Sequence, residues 1–279
     1  MMDLKKKCSR MLSITDKEFF DIRQVMFDHT GVRLRDSKRS LVISRLRRRL
    51  EELGCDSFTD YMKKLTPGNL IEIEYFVNAL TTNETFFFRH TKQFNYLYEV
   101  VLPEFAKEGK NKIEIWSAAS STGEESYSIA ITVTEFSKKN SMDFKIFASD
   151  INSDVLQEAK EAIYNERALA EVPKSLYERY LKRVANSKVE LYSVAEQIKR
   201  KVEFFEHNLQ KTSLVRGMDI IFLRNVLIYF ERDIKEKVIN NLEPCLRPGG
   251  YFFIGPSESL NDINTGLRLV GPSVFRKPL

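Results

Sequence analysis

The chain has 279 residues, 43% of them hydrophobic and 30% charged, with a formal net charge of +5. That length suffices for two modest domains and a sizeable core, and no apolar run is long enough to span a membrane. Three cysteines (Cys8, Cys55 and Cys245) lack metal spacing and leave an odd count, which argues against a disulfide or zinc framework and fits a reducing cytoplasm.

The lysine-rich stretch Met1 to Met11 has no apolar segment after it and does not read as a secretion signal. The first quarter then reads as helices. Thr15-Asp16-Lys17-Glu18 is a capping box, and Phe19, Ile22 and Met26 follow at helical spacing until Gly31. A second helix, about Ser37 to Leu53, carries Val42, Leu46, Leu50 and Leu53 on one stripe. Lys38, Arg45 and Arg48 share a neighbouring flank, with Arg47 further round. Solvated basic faces are common, but this density exceeds what solubility needs and favours a binding face for an acidic partner, protein or nucleic acid. Two short helices near Ser57 to Leu65 and Asn69 to Leu80 complete a small bundle.

Polar residues Thr81 to Thr85 then precede Phe86-Phe87-Phe88 and a lone Arg89. A buried arginine generally has an anionic partner. From Thr91 a helix leads to Pro103, and a lysine-rich loop leads to the central stretch, Lys112 to Ala130. There a short apolar run (Ile113-Glu114-Ile115-Trp116) meets a crowd of small residues (Ser117 to Gly123) and then a helical pattern. That is a strand, a tight turn and a helix N-terminus, with Ser121 or Thr122 as cap and Glu124 or Glu125 completing a capping box. An ordinary βα junction has the same outline. With Gly123 as its only glycine it is not the pyrophosphate loop of dinucleotide folds, and a cofactor without phosphates, commonly S-adenosylmethionine, suits it better.

A second strand, Phe144 to Ala148, ends in Ser149-Asp150. An acidic residue there is placed to accept hydrogen bonds from ribose hydroxyls, Ser153 being better placed to cap the next helix. Residues 164–187 are polar and give no clear pattern. Lys188 to Val194 and Lys201 to Phe205 read as strands, at least the first belonging to an inserted hairpin. A fully apolar strand, Asp219 to Leu223, suits a buried parallel position. A helix to Cys245, a turn at Arg247 to Gly250, a strand from Tyr251 to Gly255 and a last strand near Val274-Phe275-Arg276 complete a doubly wound α/β sheet.

Four ordered motifs carry a resemblance over nearly the whole chain. They are Thr81-Thr82-Asn83-x-Thr85-x-Phe87-Phe88-Arg89, Trp116-Ser117-Ala118-Ala119-x-Ser121-Thr122-Gly123-Glu124-Glu125, Phe222-x-Arg224-Asn225-Val226-x-Ile228-Tyr229-Phe230 and Pro248-x-Gly250. Together they resemble the chemotaxis receptor glutamate methyltransferases of the CheR family. Ser126 departs from the family's usual proline. The resemblance implies a Rossmann-like class I S-adenosylmethionine methyltransferase domain over 93–279, with a β-hairpin subdomain at about 180–205. It also implies a small all-α receptor-recognition domain at 13–80 and a linker at 81–92 that contributes to the active site. Asn83, Thr85 and Arg89 would contact cofactor or substrate. Glu125 would meet the amino-acid end of the cofactor and Asp150 its ribose, while Asn208, Leu209, Arg224 and Asn225 would line the adenosine pocket. Tyr229 would face the transferred methyl. Lys38, Arg45 and Arg48 would recognise cytoplasmic helices of methyl-accepting chemoreceptors. No metal, nucleic acid or membrane insertion is implied, and the expected state is a cytoplasmic monomer.

Such chemistry is coherent without a general base. A glutamate, with an ordinary pKa near ~4.3, is already ionised at neutral pH, so the protein has only to align it and exclude water. Arg89 and Tyr229 suit the alignment, and none of the three histidines has a candidate partner at useful spacing. A nucleic-acid methyltransferase would commonly show an Asn/Asp-Pro-Pro-aromatic motif where this chain has Arg224-Asn225-Val226-Leu227. A purely binding module would not need the full motif set. Whether the hairpin docks a receptor tail stays open, since the loop Val184 to Ser187 has no glycine.

Overall fold

A computed structural model describes residues 13–185, 187–213 and 215–279. The readings made on Met1 to Met11, on Cys8 and on Asn186 of the hairpin loop lie outside them. The chain divides into two compact units, the first ending at Thr81 and the second running Thr82–Leu279.

The first unit is helical: α1 (Asp16–Thr30), α2 (Arg39–Glu52), α3 (Phe58–Met62) and α4 (Leu70–Leu80). The predicted capping box is formed, with the Thr15 hydroxyl accepting from the Glu18 N–H at 3.2 Å and the Glu18 carboxylate accepting from the Thr15 N–H at 2.9 Å. The same carboxylate reaches across the unit to the Thr59 N–H at 2.8 Å, so one residue caps α1 and pins α3. Gly31 closes α1 at φ 73°, a left-handed conformation that glycine adopts without a Cβ penalty. α2 starts later than Ser37, because Asp36–Lys38 is a 3-10 turn. Val42, Leu46 and Leu50 bury its stripe, while Leu53 is only half-buried. Buried Glu72 accepts from Arg49 at 2.6 Å and from the Tyr61 hydroxyl at 2.8 Å. Removing one partner of such a buried pair costs about 3–5 kcal/mol.

In the second unit a helix runs α5 (Thr91–Tyr96), a π-helical turn (Leu97–Val101) and α6 (Leu102–Lys107). It therefore continues through Pro103, where the sequence suggested a stop. The Leu102 N–H bonds back to Leu97 O, and Pro103 sits in the first turn of α6, where a missing N–H is tolerated. The strands are β1 (Lys112–Ala118), β2 (Asp143–Asp150), β3 (Ile163–Asn165), β4 (Leu181–Arg183), β5 (Leu191–Val194), β6 (Val202–Glu206), β7 (Met218–Leu223), β8 (Leu246–Ile254), β9 (Arg268–Gly271) and β10 (Val274–Arg276). Between them lie α7 (Glu124–Asn140), α8 (Ser153–Glu161), α9 (Lys174–Tyr180), α10 (Glu196–Lys199) and α11 (Arg232–Leu242).

Seven strands form one sheet in the order β6-β2-β1-β7-β8-β10-β9. The first five are parallel, and β10 and β9 turn antiparallel at the edge. β1 lies between β2 and β7, where the strand order reverses, and a crevice for ligands opens beyond the carboxyl ends of such strands. One face is covered by α5 to α7, whose Phe94, Leu97, Phe105 and Ile131 pack with Ile113, Ile115, Phe222 and Phe253. β8 begins at Leu246, so the expected turn at Arg247 to Gly250 is part of a strand, with a register irregularity where it passes β7. β9 carried no sequence signal.

The inserted subdomain is a three-stranded antiparallel sheet, β3-β5-β4, that begins earlier than position 180. Its middle strand lies in the stretch read as a hairpin. The second stretch so read, β6, instead pairs with β2 in the main sheet. The subdomain is tied to α7 through Glu135, which accepts from Arg179 at 2.6 Å and from the Tyr180 hydroxyl. Among the described residues no helix is long and apolar enough to cross a membrane.

Candidate active site

The site forms at the carboxyl ends of β1, β2, β6 and β7. The turn after β1 is built by alternating left-handed residues, Ala119 at φ 71°, Ser121 at φ 48° and Gly123 at φ 92°. Gly123 itself is the N-cap of α7, with no side-chain cap. Neither Ser121 nor Thr122 plays the predicted capping role, because both are committed elsewhere. The Ser121 hydroxyl donates to Asn83 O at 3.0 Å, and the Thr122 hydroxyl donates to the Glu124 carboxylate at 2.6 Å. A Cβ on Gly123 would stand 2.9 Å from Ala159 Cβ, so the turn is packed tightly against α8.

Asp150 is buried at the end of β2. Its two oxygens accept from the Ser121 N–H at 2.9 Å and the Asn152 N–H at 3.1 Å. Burial pushes its carboxyl above the ordinary aspartate value, and these backbone N–H groups oppose the shift. It does not cap α8, and neither does Ser153. The N-cap is Asn152, whose side chain accepts from the Asp154 and Val155 N–H groups. Each Asp150 oxygen keeps further acceptor capacity for a ligand hydroxyl.

Arg224, at the end of β7, is the buried arginine of the site. It donates to the Glu125 carboxylate at 3.0 Å and to the backbone carbonyl of Arg89. Glu125 also accepts from the Ser117 hydroxyl at 2.8 Å. Burial raises the Glu125 carboxyl, with Arg224 pulling the other way, while the guanidinium remains a cation. Arg89, expected to be buried, is half-exposed. It donates to Glu84 O at 2.7 Å and lies over the Phe86 ring. The backbone on either side of it is held in an uncommon conformation, Phe88 at φ 56° and His90 at φ 64°. The Ser128 hydroxyl accepts from the Phe88 N–H at 2.9 Å and locks it there.

Asn208 and Leu209 form the turn after β6, where the Asn208 side chain accepts from the Gln210 N–H at 3.0 Å. Glu206 at the end of β6 is in register with Asp150, which brings this turn beside the carboxylate. Asn225 takes φ 60°, and Tyr229 is half-buried at the end of a 3-10 turn, Leu227–Tyr229. Thr85 is half-buried in the linker. The second unit therefore gathers two pairs, Glu125 with Arg224 directly and Asn83 with Asp150 through Ser121.

Arg45 and Arg48 lie on α2 of the first unit, and Lys38 is the residue just before it, at the end of the 3-10 turn. Arg45 is more than a surface charge, since it donates to Ala79 O at 3.1 Å and to Thr81 O and so closes the C-terminal end of α4. Arg48 pairs with Glu52 at 2.8 Å in an exposed i,i+4 bridge of little energetic weight. Sequence reasoning missed Ser117, Ser128, Tyr164 and Glu258. Tyr164 donates to Thr122 O at 2.6 Å, and Glu258 accepts from the Asn225 and Gly255 N–H groups. Ser117 lay inside a recognised motif and Ser128 in the helical pattern after it, while Tyr164 and Glu258 stood in stretches without pattern.

The residues fit S-adenosylmethionine. Half-buried Glu125 suits an ammonium and buried Asp150 a ribose, and small side chains line the turn. Ser120 Oγ and Arg224 Nε are buried polar atoms with no partner among the described residues. Among those residues no cluster of His, Cys, Asp or Glu could hold a metal.

Comparison with known proteins agrees. Residues 83–275 match the model for the CheR methyltransferase SAM binding domain, and residues 17–81 match that for the CheR methyltransferase all-alpha domain. A chemotaxis protein methyltransferase of Salmonella typhimurium is 37% identical over 270 residues, 96% of this chain and 92% of the relative. Chemotaxis protein methyltransferase 2 of Pseudomonas aeruginosa is 38% identical over 94% of this chain and 93% of its own. The Escherichia coli relative is 35% identical over 95% and 92%. With an all-α unit followed by a cofactor-binding sheet, and with the crevice residues in place, the chain belongs to the CheR family of S-adenosylmethionine-dependent methyltransferases.

Proposed function

We propose that this enzyme methylates glutamate side chains on the cytoplasmic helices of chemoreceptors, forming methyl esters. The observation that carries the reading is the pair of buried or half-buried anchors at the carboxyl ends of β1, β2 and β7, Arg224 with Glu125 and, through Ser121, Asp150 with Asn83. When bound, S-adenosylmethionine supplies a methyl group on a sulfonium leaving group. Glu125 would hold the amino-acid end, Asp150 the ribose, and Asn208, Leu209 and Asn225 the adenosine. The chain's own task would be to hold the substrate carboxylate in line with that methyl group and to exclude water. No proton moves, so no general base is required. Arg89, half-exposed in the linker, and Tyr229 align the carboxylate without immobilising it. The basic flank of α2 meets the acidic receptor helix.

Transfer of radiolabelled methyl groups to receptor-containing membranes, followed by alkali treatment, tests this. Methyl esters release volatile methanol in base. Label that survives alkali, or that appears on nucleic acid, refutes the reading.

A further inference from the structure

The turn after β7 and the end of β8 share one carboxylate. Glu258 Oε2 accepts from the Asn225 N–H at 3.0 Å and the Gly255 N–H at 2.6 Å, while Oε1 accepts from the Ile228 N–H at 3.3 Å. Three backbone donors converging on one point make an anion pocket, here filled from within the chain. The approach is close: a Cβ on Gly255 would stand 2.7 Å from Glu258 Oε2 and 3.0 Å from the Asn225 N. One of the donors belongs to Asn225, whose left-handed φ of 60° needs support from its surroundings. Gln93 fixes the other side by donating to Ile254 O at 2.7 Å.

We infer that Glu258 is a positioning residue for methyl transfer, its carboxylate occupying this N–H pocket and holding the Arg224–Tyr229 turn against the end of β8. The inference rests on the reading of that turn as part of the cofactor and substrate site. It has a second consequence. The proposed substrate is itself a carboxylate, and an open N–H pocket beside the site would compete for it. Glu258 keeps that pocket closed.

Two variants of the full chain test this, Glu258→Ala and Gly255→Ala. Glu258→Ala empties the pocket, and misplacing the turn should lower turnover about 10- to 100-fold. Affinity for S-adenosylhomocysteine should fall as well, since Arg224 and Asn225 share the turn. Formate is small enough to refill the pocket, so adding it at tens of millimolar should restore much of both, with bulkier acetate less effective. Gly255→Ala displaces the carboxylate without removing it, and should be slow and indifferent to formate. Turnover of Glu258→Ala within about twofold of the parent would overturn the inference. So would a folded, slow Glu258→Ala that ignores formate. Should that variant not fold, Gly255→Ala decides, because parent-like turnover there refutes the clamp and slow turnover supports it. The binding arm needs no receptor. A parent enzyme that fails to esterify glutamate therefore sinks the functional reading, while calorimetry with and without formate still tests Glu258.

Discussion

Asp150→Ala is the most informative single substitution in the cofactor site. Two backbone N–H groups, those of Ser121 and Asn152, depend on this buried carboxylate. Orphaning them costs about 1–3 kcal/mol each, so the fold should lose about 2–6 kcal/mol. The ribose would lose its own charge-assisted bonds, worth ~1.5–3 kcal/mol apiece. At ~1.4 kcal/mol per tenfold, even one such bond weakens binding by about ten- to a hundredfold. Asp150→Asn separates the two effects, since the amide oxygen still accepts from one loop N–H while the charge is gone. Calorimetric titration with S-adenosylhomocysteine, run beside denaturant melts of both variants, reads affinity and stability independently. If Asp150→Ala is destabilised yet binds within about twofold of the parent, the carboxylate only shapes the turn and the ribose assignment fails.

Other substitutions probe the remaining roles. Arg89→Ala should cut turnover far more than cofactor affinity, because its side chain bonds to Glu84 O and lies over Phe86, and its loss leaves the Arg224–Glu125 pair intact; equal losses in single-turnover rate and affinity would contradict a substrate-aligning role. Arg45→Glu should destabilise the helical unit by about 1–2 kcal/mol through the end of α4, whereas Lys38→Glu with Arg48→Glu should leave its melting unchanged and raise the receptor KM in a salt-dependent way; methylation by that pair that is normal at every salt concentration would make the flank merely solvated. Glu124 is buried on α7 and its carboxyl is pushed above the ordinary glutamate value by burial. With the folded value raised, its contribution to stability is present below the unfolded value near ~4.3 and is lost as pH rises through the folded one. Glu124→Gln should therefore gain on the parent as pH climbs from the acid side to neutrality, and a pH-independent difference in denaturation midpoints would refute this.

The fold was legible wherever a local pattern and a buried face coincide. The apolar run into small residues marked β1 and its turn, the unbroken apolar stretch marked β7, and the Thr15–Glu18 box marked α1. What escaped depends on partners distant in sequence. Ser121 reads as a helix cap until Asp150 and Asn83 claim its N–H and hydroxyl, which leaves Gly123 as N-cap. Arg89 and Arg224 both follow apolar runs, and only Glu125, 99 residues before Arg224, decides which is buried. Pro103 reads as a stop because a π turn upstream leaves no trace in composition. Glu258 sits in an unpatterned loop, and its importance exists only once three N–H groups are folded around it.

β7 carries a charged anchor at each end. Asp219, fully buried, takes Lys110 at 2.9 Å, Arg247 at 3.1 Å and the Glu114 N–H at 2.8 Å. Arg224, five positions on, takes Glu125 at the mouth of the crevice. The intervening strand thus works as a ruler of roughly 16 Å, at about 3.3 Å per residue, with both graduations nailed to different neighbours. Lengthening or shortening it by one residue would not slide the sheet harmlessly. One cluster or the other would be pulled apart, so insertions tolerated in the loops should abolish the enzyme here.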